Sequence, residues 1–303
     1  MTDVQPLRVL VTGAGGQLGQ ALTALAPQAR TTGVHLLPAS RRELDICSPA
    51  AVARRLDAEP VAAVINTAAY TAVDRAEAEP EAAERSNALG PRLLAEACRE
   101  RGIRLIQIST DYVFDGTKGM PYAEDDATHP LGVYGCTKLA GERAALGAPD
   151  AIVLRTGWVF SEFGHNFLHT MLRLGAEREA LAVVDDQLGG PTYAPAIARV
   201  LIRMLARLAT GAGLPGGIYH FGGAPAVTWH GFAQAIFTAA HQRGLLTRVP
   251  ALTPITSAEY PTAAARPADA RLDCRRLQAL LGTLDNDWRP GLAAVLEARK
   301  PRS

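Results

Sequence analysis

Residues 7–26 contain an apolar run, a glycine-rich turn and an alanine- and leucine-rich stretch, in the order of a strand, a turn and a helix. Gly13, Gly16 and Gly19 have the spacing G-x-x-G-x-x-G within this segment. Glycines at such positions permit a tight turn, close approach of a pyrophosphate, and close packing of helix on strand. The following helix N-terminus offers amide donors to phosphates. The segment predicts a dinucleotide-binding α/β fold, with an ordinary glycine-rich turn as the alternative.

Further strand-like runs alternate with helical patterns along the chain, which predicts a doubly wound parallel sheet of Rossmann type. The predicted strands after 7–12 are 34–39, 61–65, 104–108, 151–160, 181–184 and 217–221. A long amphipathic helix is predicted over 84–101. The alternation stops after Ala251, so we expect a smaller C-terminal substrate-binding lobe. The predicted division assigns 1–165, completed by about 182–222, to the dinucleotide-binding domain, and 166–181 with 223–303 to the lobe.

The residues after the second predicted strand bear on the choice between the two nicotinamide dinucleotides. An acidic residue there would bond the ribose 2′-hydroxyl, but the chain has Ser40, Arg41 and Arg42 instead. Arginines can pair with a 2′-phosphate, which favours NADPH over NADH. Two arginines at the start of a solvated turn are the alternative. Asp45, followed by Ile46, could meet the adenine end or could be the N-cap of a helix over 49–56.

Polar residues that suit carbonyl chemistry follow the fourth strand and begin a later helix. Thr110 and Asp111 end the strand near 108, where open α/β sheets bind ligands. Tyr134 and Lys138 are four residues apart on a predicted helix, so the ammonium could lie beside the phenol and lower its pKa. Tyr134 could then act as an acid or base, and a helix surface pair is the alternative. Thr110 meets Tyr134 only if a loop spans 115–130.

The composition and charge of the chain limit which partners it can bind and in which compartment it works. With 31 basic and 30 acidic residues, the chain has no charge footprint for nucleic acid or an anionic membrane. No apolar run reaches the roughly 18 residues of a membrane span. The four cysteines show no metal or redox spacing, and no export signal precedes residue 7. We therefore expect a cytoplasmic protein in a reducing compartment, with no membrane or nucleic-acid partner.

Three segments together resemble the extended short-chain dehydrogenase/reductases. They are 12–19 (TGAGGQLG), 109–116 (STDYVFDG) and 134–138 (YGCTK). Within that superfamily, 66–74, 186–192, Arg266-Pro267 and 271–273 resemble the dTDP-4-dehydrorhamnose reductase family, over essentially the whole chain. The resemblance implies an oxidoreductase of dTDP-rhamnose biosynthesis, which reduces the C4 ketone of a dTDP-linked deoxysugar with NADPH or NADH.

The resemblance also implies roles for individual residues. Tyr134 would be the proton donor, Lys138 its pKa-lowering partner and ribose contact, Thr110 the hydroxyl that orients the keto oxygen, and Asp111 a fourth member. The sugar side would include Trp158 and Asn166, while the guanidinium of Arg266 suits a diphosphate. The expected cofactor contacts are Gly13, Gly16, Gln17, Leu18, Gly19, Ser40, Arg41, Asp45, Ile46, Ala68, Ala69, Tyr70, Tyr134 and Lys138.

Some relatives are described as using magnesium at a dimer contact through carboxylates. Gln17 follows Gly16 in this chain, so the sequence places no such ligand, and a homodimer stays open. Two other functions fit a chain of this kind. An epimerase or dehydratase of the same fold would return the hydride to its cofactor, and a non-catalytic regulatory subunit of methionine adenosyltransferase would not need Tyr134, Lys138 and Thr110.

Overall fold

The computed structural model describes residues 6–299. Within them the chain forms twelve strands: β1 Leu7–Thr12, β2 Val34–Ala39, β3 Ala63–Asn66, β4 Arg104–Thr110, β5 Ile152–Thr156, β6 Val159–Phe160, β7 Ala180–Val184, β8 Leu188–Gly189, β9 Thr192–Tyr193, β10 Gly217–His220, β11 Val227–Thr228 and β12 Ala251–Ile255. The same residues form twelve α-helices: α1 Gln17–Ala24, α2 Ala26–Thr31, α3 Pro49–Asp57, α4 Val73–Ala78, α5 Pro80–Glu84, α6 Gly90–Arg101, α7 Val133–Ala145, α8 Phe167–Glu177, α9 Ala194–Ala209, α10 Trp229–Gln242, α11 Arg275–Leu281 and α12 Trp288–Glu297.

Six strands form one parallel sheet in the order β10-β5-β4-β3-β1-β2. The order reverses at β1, because β2 lies on one side of it and β3, β4 and β5 follow on the other. A crevice opens beyond the carboxyl ends of the strands at such a switch point, and open α/β sheets bind ligands there. The predicted doubly wound, Rossmann-like sheet is confirmed.

Alternate residues of the central strands fill two separate cores, one on each face of the sheet. Val9 and Val11 belong to a cluster with Leu201 of α9, whereas Leu10 lies in a second cluster with Leu94 of α6. Side chains of a strand alternate between faces, and a parallel sheet covered by helices on both faces buries both sets. The near-continuous apolar strands of this chain are therefore a consequence of the two helical layers.

A third core lies away from the main sheet. Phe232 and Ile236 of α10 pack there with Leu168 of α8 and Val295 of α12. Strand β7 pairs in parallel with β12 beside them. This packing groups 180–184 with the lobe, whereas Leu277 of α11 joins the first core of the sheet. The predicted division into two domains stays a proposal, and its residues 1–5 and 300–303 lie outside the described part of the chain.

Several element bounds differ from the predictions. The third strand is Ala63–Asn66 rather than 61–65, and the predicted strand 151–160 divides into β5 and β6. The division falls at Gly157 and Trp158, because Trp158 has φ +50° and leaves the extended conformation. The helix predicted over 84–101 contains a π-helical turn at Arg85–Leu89, followed by α6.

The interpretation of Asp45 as an N-cap is wrong. The N-cap of α3 is Ser48, whose Oγ accepts a 3.3 Å hydrogen bond from Ala51 N. Asp45 Oδ1 instead accepts a bond from Cys47 N, and its other oxygen lies 3.4 Å from a guanidinium nitrogen of Arg85. Among residues 6–299, no helix is both long and apolar enough to cross a membrane.

Candidate active site

A cavity of about 590 Å³ lies at the carboxyl edge of the sheet. The glycine turn, the ends of β4 and β5, the start of α7 and the segment 157–166 form its walls. Of the residues predicted for the site, ten line this cavity: Gly16, Gln17, Leu18, Ala69, Thr110, Asp111, Tyr134, Lys138, Trp158 and Asn166. Parts of the chain more than 100 residues apart in sequence thus meet at the place where the fold predicts a ligand.

The glycine turn needs glycine at two positions. Gly13 has φ +70°, and a Cβ there would lie 2.6 Å from Ala68 N. A Cβ at Gly19 would overlap the backbone of Gly13 and Ala14, so the missing side chain lets α1 pack on the turn. A Cβ at Gly15 would meet no atom within 4 Å. The turn therefore presents backbone and the α1 N-terminus to open space, as a pyrophosphate requires.

A chain of buried side-chain hydrogen bonds holds the strand ends beneath this turn. Thr12 Oγ1 donates to Asn66 Oδ1 at 2.6 Å, and Asn66 Nδ2 donates to Gln107 Oε1 at 2.7 Å. Ala68 N also donates to Asn66 Oδ1, which places Ala68 against Gly13. Three adjacent strands are joined in this way. Sequence reasoning did not find the network, because its members are 41 to 54 residues apart.

Tyr134 and Lys138 lie on the first two turns of α7 in the cavity wall, where Lys138 is buried and Tyr134 is half-buried. The Lys138 ammonium donates a 2.7 Å hydrogen bond to the carbonyl oxygen of Ile108 in β4. Burial lowers the pKa of Lys138 to about 8, and the Glu142 carboxylate partly opposes this shift. Lys138 is therefore mostly charged at neutral pH.

The expected lowering of the Tyr134 pKa is wrong for this structure. Burial raises the pKa of Tyr134 to about 12, a hydrogen bond with the Thr110 side chain opposes the shift, and the Asp111 carboxylate adds to it. The i, i+4 spacing suggested a dominant effect of Lys138, but desolvation of the phenol is the largest cause of the shift. Tyr134 consequently holds its proton throughout the neutral range.

Asp111 packs against the backbone of Gly157 at the base of the cavity. A Cβ at residue 157 would overlap the Asp111 carboxyl group, so glycine is required there. Asp111 Oδ1 accepts a 3.0 Å hydrogen bond from Thr110 Oγ1. Burial raises the pKa of Asp111 to about 7, although the bond from Thr110 lowers it. Thr110 and Asp111 are therefore hydrogen-bonded to each other and line the same cavity as Tyr134.

Two further hydroxyls line the cavity, and sequence reasoning did not single out either as a ligand contact. Ser109 Oγ and Thr156 Oγ1 are buried and have no hydrogen-bond partner within residues 6–299. Both residues are only 4% exposed. A buried polar atom without a partner is costly, so these hydroxyls fit a polar ligand group. The available signal was their position at the ends of β4 and β5.

Aromatic residues form the far wall of the cavity. The indoles of Trp158 and Trp229 stack with ring centroids 3.5 Å apart, and Phe167 lies against Trp229. Trp229 Nε1 donates to Gln187 Oε1 at 3.1 Å. Asn166 is the N-cap of α8, and its Oδ1 accepts from His169 N. Sequence reasoning predicted Trp158 and Asn166 here but missed Trp229.

Several predicted cofactor contacts lie outside the cavity wall. Ser40 and Arg41 follow β2, where Ser40 N donates to Glu43 Oε2 at 2.7 Å. Ile46 is buried against Gly90. Tyr70 N donates to Asn87 Oδ1, and its hydroxyl donates to Glu79. These residues follow β2 and β3, and none of them lines the cavity.

Arg266, predicted to bind a diphosphate, pairs with Asp74. Its guanidinium donates to Asp74 Oδ1 at 3.2 Å and to Oδ2 at 2.7 Å. Further bonds reach Thr262 Oγ1 and the Ala264 carbonyl oxygen. The pair joins the start of α4 to the C-terminal segment, next to the cavity residue Val73. No group of three or more His, Cys, Asp or Glu side chains within residues 6–299 could hold a metal ion, and no magnesium ligand is assigned.

Comparisons with known proteins show which family the chain resembles along nearly its whole length. A sequence model described as the RmlD substrate binding domain matches residues 7–300. A dTDP-4-dehydrorhamnose reductase of Aggregatibacter actinomycetemcomitans is 46% identical over 289 residues, which cover 95% of this chain and 98% of that protein. A solved dTDP-4-dehydrorhamnose reductase of Clostridium acetobutylicum has a TM-score of 0.86 and 34% identity, over 96% of this chain and 99% of that one. A Bacillus anthracis enzyme of the same name, solved in complex with NADP, has a TM-score of 0.86 and 34% identity, over 97% of this chain and 99% of that one.

Proposed function

The chain belongs to the dTDP-4-dehydrorhamnose reductase family, and on that premise we propose that it reduces the C4 ketone of dTDP-4-dehydro-L-rhamnose to dTDP-L-rhamnose. NADPH is the preferred cofactor, and Tyr134 is the proton donor. The observation that carries the proposal is the meeting of the Thr110 and Tyr134 hydroxyls beside Lys138, in one cavity with the glycine turn. This arrangement places a proton donor where a dinucleotide and a carbonyl group can meet.

The residues present fit a nicotinamide dinucleotide. The glycine turn and the α1 N-terminus suit its pyrophosphate, and the unpartnered hydroxyls of Ser109 and Thr156 suit its polar groups. Lys138, fixed by the Ile108 carbonyl, lies at the same edge. The bound cofactor supplies the hydride, so the protein has to orient the ketone, stabilise charge and deliver a proton.

Thr110 and Tyr134 stabilise the keto oxygen as negative charge develops on it. Both residues line the same cavity, so one keto oxygen bound there can meet both hydroxyls. The raised pKa of Tyr134, caused by burial, keeps the phenol protonated and suits it to give a proton to an alkoxide. The Lys138 cation then stabilises the phenolate that remains.

Asp111 controls the orientation of the Thr110 hydroxyl. As a carboxylate it accepts the Thr110 proton at 3.0 Å, while the Thr110 oxygen accepts a hydrogen bond from Tyr112 N at 3.2 Å. As a neutral acid it can donate instead, and the Thr110 proton is then free for the keto oxygen. Burial holds the pKa of Asp111 at about 7, so both forms exist near neutrality.

The preference for NADPH is supported by the turn after β2. Arg41 and Arg42 are exposed, and neither forms an ion pair with another residue in the described part of the chain. Free guanidinium groups at this position suit a 2′-phosphate. No carboxylate occupies position 40, where NAD-binding folds often carry one.

A direct assay tests the function. Purified protein is incubated with dTDP-4-dehydro-L-rhamnose and NADPH while the absorbance of the reduced nicotinamide is followed, and the product is identified by mass spectrometry. Stoichiometric oxidation of NADPH with formation of dTDP-L-rhamnose supports the proposal. An epimerase or dehydratase would change the sugar without consuming NADPH, and a regulatory subunit would do neither.

A further inference from the structure

One side chain links the glycine turn to the substrate lobe. Gln17 is the first residue of α1, directly after Gly16, and its Oε1 accepts two hydrogen bonds from distant residues. Ser161 Oγ donates at 2.8 Å and Asn166 Nδ2 at 2.9 Å. The donors are 144 and 149 residues further along the chain. A residue expected to be a cofactor contact thus has its side chain bound to another part of the molecule.

The two donors are rigidly held at the entrance to the lobe. Ser161 is fully buried and its Oγ also accepts from Phe163 N, while Asn166 is 7% exposed. The Asn166 side chain caps α8 through its Oδ1 and bonds the Ser161 carbonyl oxygen through its Nδ2. Helix α8 packs in the lobe core through Leu168. A shift of the Gln17 amide therefore moves the group that starts α8.

The segment that carries Trp158 also closes around Gln17. Gln17 Nε2 is 3.5 Å from the carbonyl oxygen of Val159, the residue after Trp158. A Cβ added at Gly164 would lie 3.4 Å from Gln17 Cγ, so the segment passes directly over the glutamine stem. The amide is neutral and adds no charge beside a pyrophosphate. Its contacts connect the turn to both the aromatic wall and α8.

We infer that Gln17 is a positioning residue that couples occupancy of the glycine turn to the conformation of the substrate lobe. The inference rests on the proposed function for the identity of the two ligands. The α1 N-terminus faces the dinucleotide side, while the Gln17 side chain holds Ser161 and Asn166. Two sites that share one hydrogen-bonded element are coupled when ligand binding shifts that element, and the coupling is reciprocal.

Gln17→Met tests the coupling with little change in side-chain length, helix propensity or charge. Gln20→Met is a matched control on the same helix. Gln20 Nε2 donates to the Gly15 carbonyl oxygen at 2.9 Å, so it contacts the glycine turn but does not reach Ser161 or Asn166. Thermal unfolding of both variants shows whether the fold is retained. Asn166→Asp is a second variant, because it keeps the acceptor for His169 N but loses the donor to Gln17.

The first measurement needs only the cofactor. Hydrogen exchange is followed in peptides that cover 159–171, with and without NADPH. In the wild type and in Gln20→Met, NADPH slows exchange in the first turn of α8, whereas in Gln17→Met and Asn166→Asp it does not. The inference is overturned if NADPH protects this turn equally in Gln17→Met and in the wild type. It is also overturned if Gln20→Met loses the protection to the same extent as Gln17→Met.

The second measurement uses NADPH with dTDP-L-rhamnose, a pair that cannot react. The Kd of NADPH is determined with and without the sugar nucleotide. In the wild type the sugar nucleotide is expected to change the Kd of NADPH about fivefold or more, and in Gln17→Met this ratio is expected to fall toward one. No coupling in the wild type contradicts the inference. Failure to bind dTDP-L-rhamnose contradicts the proposed function instead, and the exchange experiment still decides the role of Gln17.

Discussion

The Lys138 ammonium is held 2.7 Å from the carbonyl oxygen of Ile108, two residues before Thr110 on the same strand. This bond fixes the cation to β4 rather than leaving it free on the helix. Since burial lowers the pKa of Lys138 to about 8 and Glu142 limits that shift, the cation is present at neutral pH and is lost in alkaline solution. Helix α7 and strand β4 thus present Tyr134, Lys138 and Thr110 as one unit.

Tyr134→Phe should remove the proton donor and leave the cavity shape almost unchanged. We expect a loss of about 10² to 10⁴ in kcat, the usual range for general acid catalysis. The Kd of NADPH, measured by fluorescence titration, should change little. A Phe variant that reduces the ketone within about threefold of wild type would show that Tyr134 is not the acid.

Replacing Arg41 and Arg42 together by alanine should reduce kcat/KM for NADPH by about tenfold or more, since a charge-assisted bond contributes roughly 1.5–3 kcal/mol. The value for NADH should stay nearly constant, because NADH lacks the 2′-phosphate. Steady-state kinetics with both cofactors gives the answer. An equal loss of kcat/KM for the two cofactors would show that the arginines have a structural role instead.

Glu43→Gln should increase the preference for NADPH. The Glu43 carboxylate accepts from Ser40 N at 2.7 Å, and its bonds to the Ser40 backbone and side chain lower the pKa of Glu43. It therefore holds negative charge beside the proposed 2′-phosphate site and occupies donors that the phosphate could use. The ratio of Kd values for NADH and NADPH should rise in the variant. An unchanged ratio would place the phosphate elsewhere.

Asp111→Asn should change the dependence of stability on pH. Burial raises the pKa of Asp111 from its usual 3.8 to about 7, so the folded state binds this proton more tightly than the unfolded state does. The stability contributed by this group is full below about pH 4 and is lost as the pH rises to about 7. Asparagine cannot ionise and avoids that loss.

The stability of Asp111→Asn relative to wild type should therefore grow between pH 5 and pH 7, by up to roughly 1.4 kcal/mol per pH unit. Urea denaturation at pH 5 and pH 8 measures the difference. Activity should fall in the same variant, because an amide cannot switch between accepting from and donating to Thr110 as a carboxyl group does. A difference in stability that does not vary with pH would show that Asp111 is not the buried ionising group described above.

Arg266→Ala should raise the KM for the sugar nucleotide about tenfold or more if its remaining donors serve the diphosphate. Asp74→Ala breaks the same ion pair but keeps the guanidinium, so its effect on KM should be smaller. The Kd of NADPH should stay within about twofold in both variants. Equal effects of the two substitutions on KM would assign Arg266 to the link between α4 and the C-terminal segment alone.

Local sequence patterns were sufficient to predict the elements that depend on residues close together in the sequence. Strands β1 and β2 have the predicted bounds, because their apolar runs end at clear turn residues. The glycine turn was also predictable, since its spacing reflects the geometry of a single strand, turn and helix.

Contacts between distant segments could not be read from such patterns. The Arg266–Asp74 pair joins positions 192 residues apart, and the bonds of Gln17 cross more than 140. The predicted lowering of the Tyr134 pKa was wrong for a related reason. Its i+4 partner is visible in the sequence, whereas the burial that dominates the shift arises from the whole cavity wall.

Trp158 adopts φ +50°, and the edge of its indole lies over residue 189, where any Cβ would overlap the ring. The size of residue 189 therefore determines how far the Trp158 indole can extend over this position. The dependence between the two positions runs in one direction. Enlarging residue 189 would displace the indole, whereas a smaller residue at 158 is compatible with the glycine and removes the overlap. Substitutions at 189 would therefore have to follow a change at 158, which fixes the order in which this wall can diverge.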